Sequence, residues 1–136
     1  MFSNKVATIN NKLDSLSKSK FRSSFHLRKY MIEYIDEKGL DTVKSHAIDF
    51  VEEKLGCSNP KNDGKQTPMK GHPVFVAMHA CGCCCRSCLE KWHNIPKGRE
   101  LTKEEKEYIV SILMIWIIRE YKSNKHWLLL FFFAII

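Results

Sequence analysis

The residues with most chemistry to offer stand in one stretch, His79-Ala-Cys81-Gly-Cys83-Cys84-Cys85-Arg-Ser-Cys88-Leu-Glu-Lys-Trp92-His93. Cys85 and Cys88 form a CxxC, the spacing at which two thiolates reach one ion where a tight turn leads into a helix, and His93 lies beyond on the same run. Mixed thiolate and imidazole donors suit tetrahedral zinc, at roughly 2.3 Å from sulfur and about 2.0–2.1 Å from nitrogen. The expected site is therefore zinc on Cys85, Cys88, His93 and His79, with Cys84 and His72 in reserve. Three successive cysteines cannot easily all face one ion, because neighbouring side chains diverge in a regular backbone, so some sulfurs are passengers. An iron–sulfur cluster ranks below zinc because histidines flank the thiols. The competing reading makes the cysteines small buried hydrophobes or a reducible thiol pair. A cysteine nucleophile would need a lowered thiol pKa and a base within reach, which no spacing demonstrates.

Two neighbouring segments could serve such a site. Ile95-Pro-Lys-Gly-Arg99 presents Lys97 and Arg99 on a rigid turn, and Asn62-Asp-Gly-Lys-Gln-Thr67 presents Lys65 beside a strong Asp-Gly turn signal. Lys97, Arg99 and Lys65 are the anion-binding candidates. The chain carries a formal net charge of +7, and within residues 57–99 seven Lys/Arg face two Asp/Glu. A basic, thiol-bearing stretch between mildly acidic helices suggests nucleic acid or another anionic partner, against the plainer reading of a solvated lysine surface. The enzymatic alternative places His72, His79, Asp63 and the thiols around an open metal position, with no catalytic residue assigned. A third alternative is a structural or interaction protein without metal.

These residues must be held by a small fold. A chain of 136 residues with 44% hydrophobic and 27% charged content is long enough for one domain and excludes wholesale disorder. Six cysteines are too few for a disulfide scaffold of this length, and the N-terminus lacks a secretory pattern, so the expected compartment is the cytoplasm. Residues 1–20, rich in Asn, Ser and Lys, read as a flexible polar arm. Ser24 as N-cap, an apolar stripe through Leu27, Tyr30, Met31, Tyr34 and Ile35, and Gly39 as terminator predict a first amphipathic helix. Asp41, the stripe Val43, Ala47, Ile48, Phe50, Val51 and Leu55, and Gly56 predict a second. Three prolines and two glycines between Cys57 and Pro73 forbid a regular element and predict a long loop. Val74–Met78 reads as a short buried strand or extended core segment. Thr102 and Glu105, at capping-box spacing, open a third helix whose buried face carries Tyr108, Ile109, Ile112, Leu113, Trp116 and Ile117. The apolar run Trp127–Ile136 is about half the roughly 20 residues a spanning helix needs, and leaves packing, self-association or weak membrane contact open. The expected class is mainly α, a single domain of about three amphipathic helices with a long loop, a Cys/His-bearing segment and room for one short strand.

The segments FRSSFHLRKY, HAIDFVEEKL, NDGKQTPMKGHPVFVAMHA and CCRSCLEKWHNIPKGRELT resemble a bacterial family known only as a domain of unknown function, DUF4186. The resemblance covers approximately residues 21–121 and supplies no reaction. It implies a globular domain at 21–123 and an individual apolar extension at 124–136. It aligns His79, Cys84, Cys85, Cys88, His93 and the Ile-Pro-Lys-Gly turn with the family pattern, whereas Cys81 and Cys83 stand where the family has threonine, Gly82 where it has alanine and Ser87 where it has glycine. It thereby implies that Cys57, Cys81 and Cys83 are dispensable. The functional expectation is a small intracellular metal-binding module, zinc-loaded, meeting an anionic partner through the stretch 57–99.

Overall fold

The computed structural model describes the backbone of residues 2–135 and the side chains of residues 5–125. It is mainly α, with no strand among the described residues. Helix α1 spans Phe2–Ser17, α2 Lys29–Lys38, α3 Leu40–Leu55, α4 Pro73–Ala80, α5 Arg86–His93 and α6 Lys103–Ile135, with a short 3-10 turn at Arg22–Ser24.

The longest helix is the organiser. Thr102 and Glu105 form the expected capping box: the Glu105 amide donates to Thr102 Oγ1 at 3.1 Å and the Thr102 amide to Glu105 Oε1 at 2.9 Å, which satisfies two otherwise orphaned donors. From there Ile109, Ile112, Leu113 and Ile117 are fully buried, and α6 packs against α3, α4 and α1. Helix α3 meets it with Val43, Ala47, Val51 and Leu55, all buried, while Ile48 from the predicted stripe faces solvent. Gly39, at φ 86°, closes α2 and opens α3 in a conformation that a side chain would resist. The first predicted helix starts later than Ser24 suggests: Arg22–Ser24 forms the 3-10 turn, and Arg28 precedes α2.

Two expectations are corrected. Residues 1–20 are not a loose arm: α1 occupies most of them, with Ile9, Leu13 and Leu16 buried at three- and four-residue spacing. Three apolar residues on one helical face are enough to dock a helix whose remaining positions stay polar. Val74–Met78 is helical, as part of α4, and its residues are buried almost all round. A lone strand there would leave its amides and carbonyls without partners in the core, whereas a helix satisfies them internally. Pro73 at the first helical position and the His72 ring, whose Nδ1 accepts the Val74 amide at 3.0 Å, begin the helix.

The stretch between α3 and α4 contains turns and no helix or strand, as its prolines and glycines predict. It is nevertheless anchored. Thr67 is buried, and its hydroxyl donates to the Cys84 carbonyl at 2.7 Å. The apolar run Trp127–Ile136 lies outside the described side chains, and no helix among the described residues is long and apolar enough to cross a membrane.

Candidate metal centre

Helices α4 and α5 are joined by Cys81–Cys85, and this connection builds the site. Cys85 is the N-cap of α5, its sulfur accepting the Cys88 amide at 3.4 Å. The CxxC therefore sits where the spacing predicts, on a tight entry into a helix. The left-handed turn at Gly82, φ 68°, brings the chain against Trp92, whose ring would lie 2.8 Å from an added Cβ. A side chain there would force one of the two to shift.

Two charged residues hold the entry to α5. Asp63, from the long loop, accepts the Arg86 amide at 2.9 Å through Oδ1, and the Ser87 amide at 3.2 Å and Ser87 hydroxyl at 2.7 Å through Oδ2. Burial alone would raise the Asp63 pKa, but the hydrogen bonds from Ser87, Gln66 and the two amides hold it below the usual carboxylate range. Arg86 is 1% exposed. Its Nη1 donates to the carbonyls of Leu55, Cys57 and Arg99 at 3.3, 3.0 and 2.9 Å, and its Nη2 to that of Pro96 at 2.7 Å. One side chain thus ties the end of α3, the start of the loop and the Ile-Pro-Lys-Gly turn to the first residue of α5.

Three sulfurs converge on this frame. Those of Cys84, Cys85 and Cys88 all lie within 4.8 Å of one another, with Cys84 and Cys88 at 3.5 Å. Cys84 and Cys85 are buried and Cys88 is half-buried. Arg22 reaches in from the 3-10 turn: Nη2 donates to the Cys88 sulfur at 3.1 Å, and Nη1 to the Cys84 sulfur at 3.5 Å and the His79 carbonyl at 2.7 Å. The Cys88 contact, opposed by burial and aided by Arg22, brings the Cys84 thiol down to about 7, while the same contact and burial push Cys88 up.

The expected imidazole ligands stand outside the cluster of Cys84, Cys85 and Cys88, although His93 Nε2 lies 3.5 Å from the Cys83 sulfur. His93 Nδ1 faces the Tyr108 hydroxyl at 2.8 Å and Nε2 the Cys81 carbonyl at 2.8 Å. A carbonyl only accepts, so Nε2 carries the hydrogen and donates it, and Nδ1 accepts a hydrogen bond from the Tyr108 hydroxyl, which occupies both ring nitrogens. His79 turns Nε2 to the Thr67 carbonyl at 3.0 Å and stacks on Phe25. His72 uses Nδ1 for the Val74 amide, so its Nε2 carries the hydrogen and donates to His46 Nδ1 at 3.0 Å. Cys84, from the reserve, is the residue whose sulfur lies with those of Cys85 and Cys88. Cys81 and Cys83 are fully buried core sulfurs, burial pushing both thiols up, and Cys57 is exposed and apart. Asp63, offered as a catalytic candidate, is occupied at the start of α5.

The anion candidates are also dispersed in role. Arg99 makes a two-pronged pair with Glu105 at 2.8 and 2.7 Å, so its charge is compensated within the protein. Lys97 Nζ donates to the Ser87 hydroxyl at 3.2 Å, and Lys65 lies on the exposed turn, its amide donating to the Asn62 carbonyl at 2.8 Å. Sequence reasoning missed Arg22 and Arg86. The only signal for Arg86 was a cation placed inside CCRSC, and for Arg22 there was none, since it lies far from the thiols along the chain.

A family model described as a domain of unknown function, DUF4186, matches residues 10–118 of the chain. The match begins within α1, ahead of Phe21. No solved structure matches the chain.

Proposed function

Because the chain belongs to the DUF4186 family, whose description assigns no activity, its function has to be argued from its own atoms, and we propose that it is a small metal-binding module holding zinc on Cys84, Cys85 and Cys88. The observation that carries this reading is the convergence of three sulfurs within 4.8 Å, on a helix entry fixed by Asp63 and Arg86. Soft thiolate donors in a buried cluster select thiophilic ions over magnesium or calcium. Zinc takes four ligands, and no nitrogen of His79 or His93 is among the ligand atoms gathered within 4.8 Å of one another, so the fourth position falls to water or another exogenous donor. When bound, such an ion supplies Lewis acidity at that position. The protein's own residues fix the sulfurs, exclude bulk water from Cys84 and Cys85, and ease deprotonation through Arg22.

Cobalt substitution tests the reading. A one-to-one complex with intense thiolate-to-cobalt absorption, lost in Cys84→Ser and Cys88→Ser, is expected; a complex indifferent to these changes contradicts it. A second reading, a reducible thiol pair, is favoured by the 3.5 Å separation of Cys84 and Cys88, and a Cys84–Cys88 disulfide found by mass spectrometry after mild oxidation would support it. The excess of cations over residues 57–99, with Arg99 already compensated, supports contact with nucleic acid or another anion through the remaining lysines. Such contact should weaken steeply with salt.

A further inference from the structure

Arg22 is a buried cation, 9% exposed, and among the described residues no carboxylate pairs with it. Buried charges are ordinarily paired. The groups its guanidinium meets are the sulfurs of Cys84 and Cys88 and the His79 carbonyl, with the Phe21 ring centroid 5.0 Å and the Trp92 centroid 6.0 Å from its carbon. Only ionised sulfur can balance its charge, and a loaded site bearing one net negative charge does so in full.

The charge of a loaded site follows from the ion. Three thiolates with a divalent ion and a neutral fourth ligand sum to minus one, with a monovalent ion to minus two, and with trivalent arsenic to zero. We propose that Arg22 is the charge-compensating and specificity-determining residue of the thiol cluster, fitting it to divalent thiophilic ions, whose three-thiolate complex its single positive charge neutralises. The inference rests on the metal-binding reading above. Asp63, the other charge facing the cluster, lies on the Cys85 side, and its carboxylate is answered by the amides of Arg86 and Ser87 and the Ser87 hydroxyl. Arg22 therefore sets the balance on the Cys84 and Cys88 side.

A residue acting through charge must affect ions according to the charge of their complexes, whereas one that merely shapes the loop would affect them alike. Cadmium and arsenite are the probes. Arsenite forms three As–S bonds and loses three As–O bonds, each thiol proton leaving in water, with no change of oxidation state. Affinities are measured by chelator competition for cadmium and by titration followed in the ultraviolet for arsenite, with a thermal melt of each variant. In Arg22→Gln, cadmium affinity should fall about tenfold or more, as expected for losing a charge contact at an effective dielectric constant near 20, while arsenite affinity stays within about threefold. In Arg22→Lys, cadmium affinity should stay within about threefold of the unaltered protein. Equal loss for both ions in Arg22→Gln, or no loss for either, overturns the inference. If Arg22→Gln does not fold, Arg22→Lys decides: a tenfold loss of cadmium there overturns it. If the unaltered protein binds neither ion, the metal-binding reading itself falls; if it binds both and only the charge dependence is missing, that reading stands and this one does not.

Discussion

Replacing Arg86 with Met should remove the pin that aligns the thiol segment. The guanidinium donates to four carbonyls, of Leu55, Cys57, Pro96 and Arg99, and is 1% exposed. Hydrogen bonds involving a charged group contribute about 1.5–3 kcal/mol each. Four of them do not add in full, because burying the guanidinium costs several kcal/mol and because methionine fills much of the same volume. Against this, the buried Leu55 carbonyl at the end of α3 would keep no replacement donor. We expect a net loss of about 3–5 kcal/mol, a fifth or more of the roughly 5–15 kcal/mol that stabilises a typical domain. The assay is urea unfolding followed by far-ultraviolet circular dichroism, with a fall in melting temperature of about 10 °C or more as the companion result. Arg86→Lys, with one nitrogen for four carbonyls, should recover less than half of the loss. A change below about 1 kcal/mol in Arg86→Met would refute the claim that this side chain fixes the entry to α5.

Three further predictions concern other parts of the frame. Asp63→Asn keeps the shape but turns an amide donor toward Ser87 or Gln66, and should cost about 1–2 kcal/mol while weakening metal binding; unchanged stability in urea would count against the anchoring role. Burial pushes His93 down to about 4 against the pull of the Cys81 carbonyl, and burial with the neighbouring His46 does the same for His72. Between the unfolded value near 6.5 and about pH 4 the unfolded chain binds protons the folded one does not, so stability is complete above pH 6.5 and should fall by up to about 3 kcal/mol per histidine as the pH drops through that window. A flat stability profile from pH 7 to 4 would contradict it. Cys81→Ala and Cys83→Ala should lower stability without changing metal stoichiometry, since both sulfurs lie in the core; loss of metal from either would move the site.

The parts of the fold written in local signals were legible. The capping box at Thr102, the apolar stripe of α3 and the turn-rich stretch after Gly56 each depend on residues within a few positions of one another. The strand reading of Val74–Met78 failed because a fully buried segment carries no periodicity, and only the His72 cap and Pro73 distinguish a helix there. The arm at residues 1–20 was misread because Ile9, Leu13 and Leu16 are a thin stripe in a polar sequence, meaningful only once a surface exists to dock on. At the site, the CxxC at the start of a helix was readable from spacing, but which side chains gather beside it was not. Whether His79 and His93 are free depends on Thr67, Tyr108 and the Cys81 carbonyl, partners chosen by tertiary structure. Arg22 likewise reaches the thiols across a gap in sequence that no local pattern bridges.

The most direct test is elemental analysis of the protein purified without added metal, beside Cys84→Ser and Cys81→Ala prepared identically. We predict close to one zinc per chain in the unaltered protein and in Cys81→Ala, and its loss in Cys84→Ser. Metal retained in full by Cys84→Ser, or no metal in any of the three even after incubation with zinc, would contradict it.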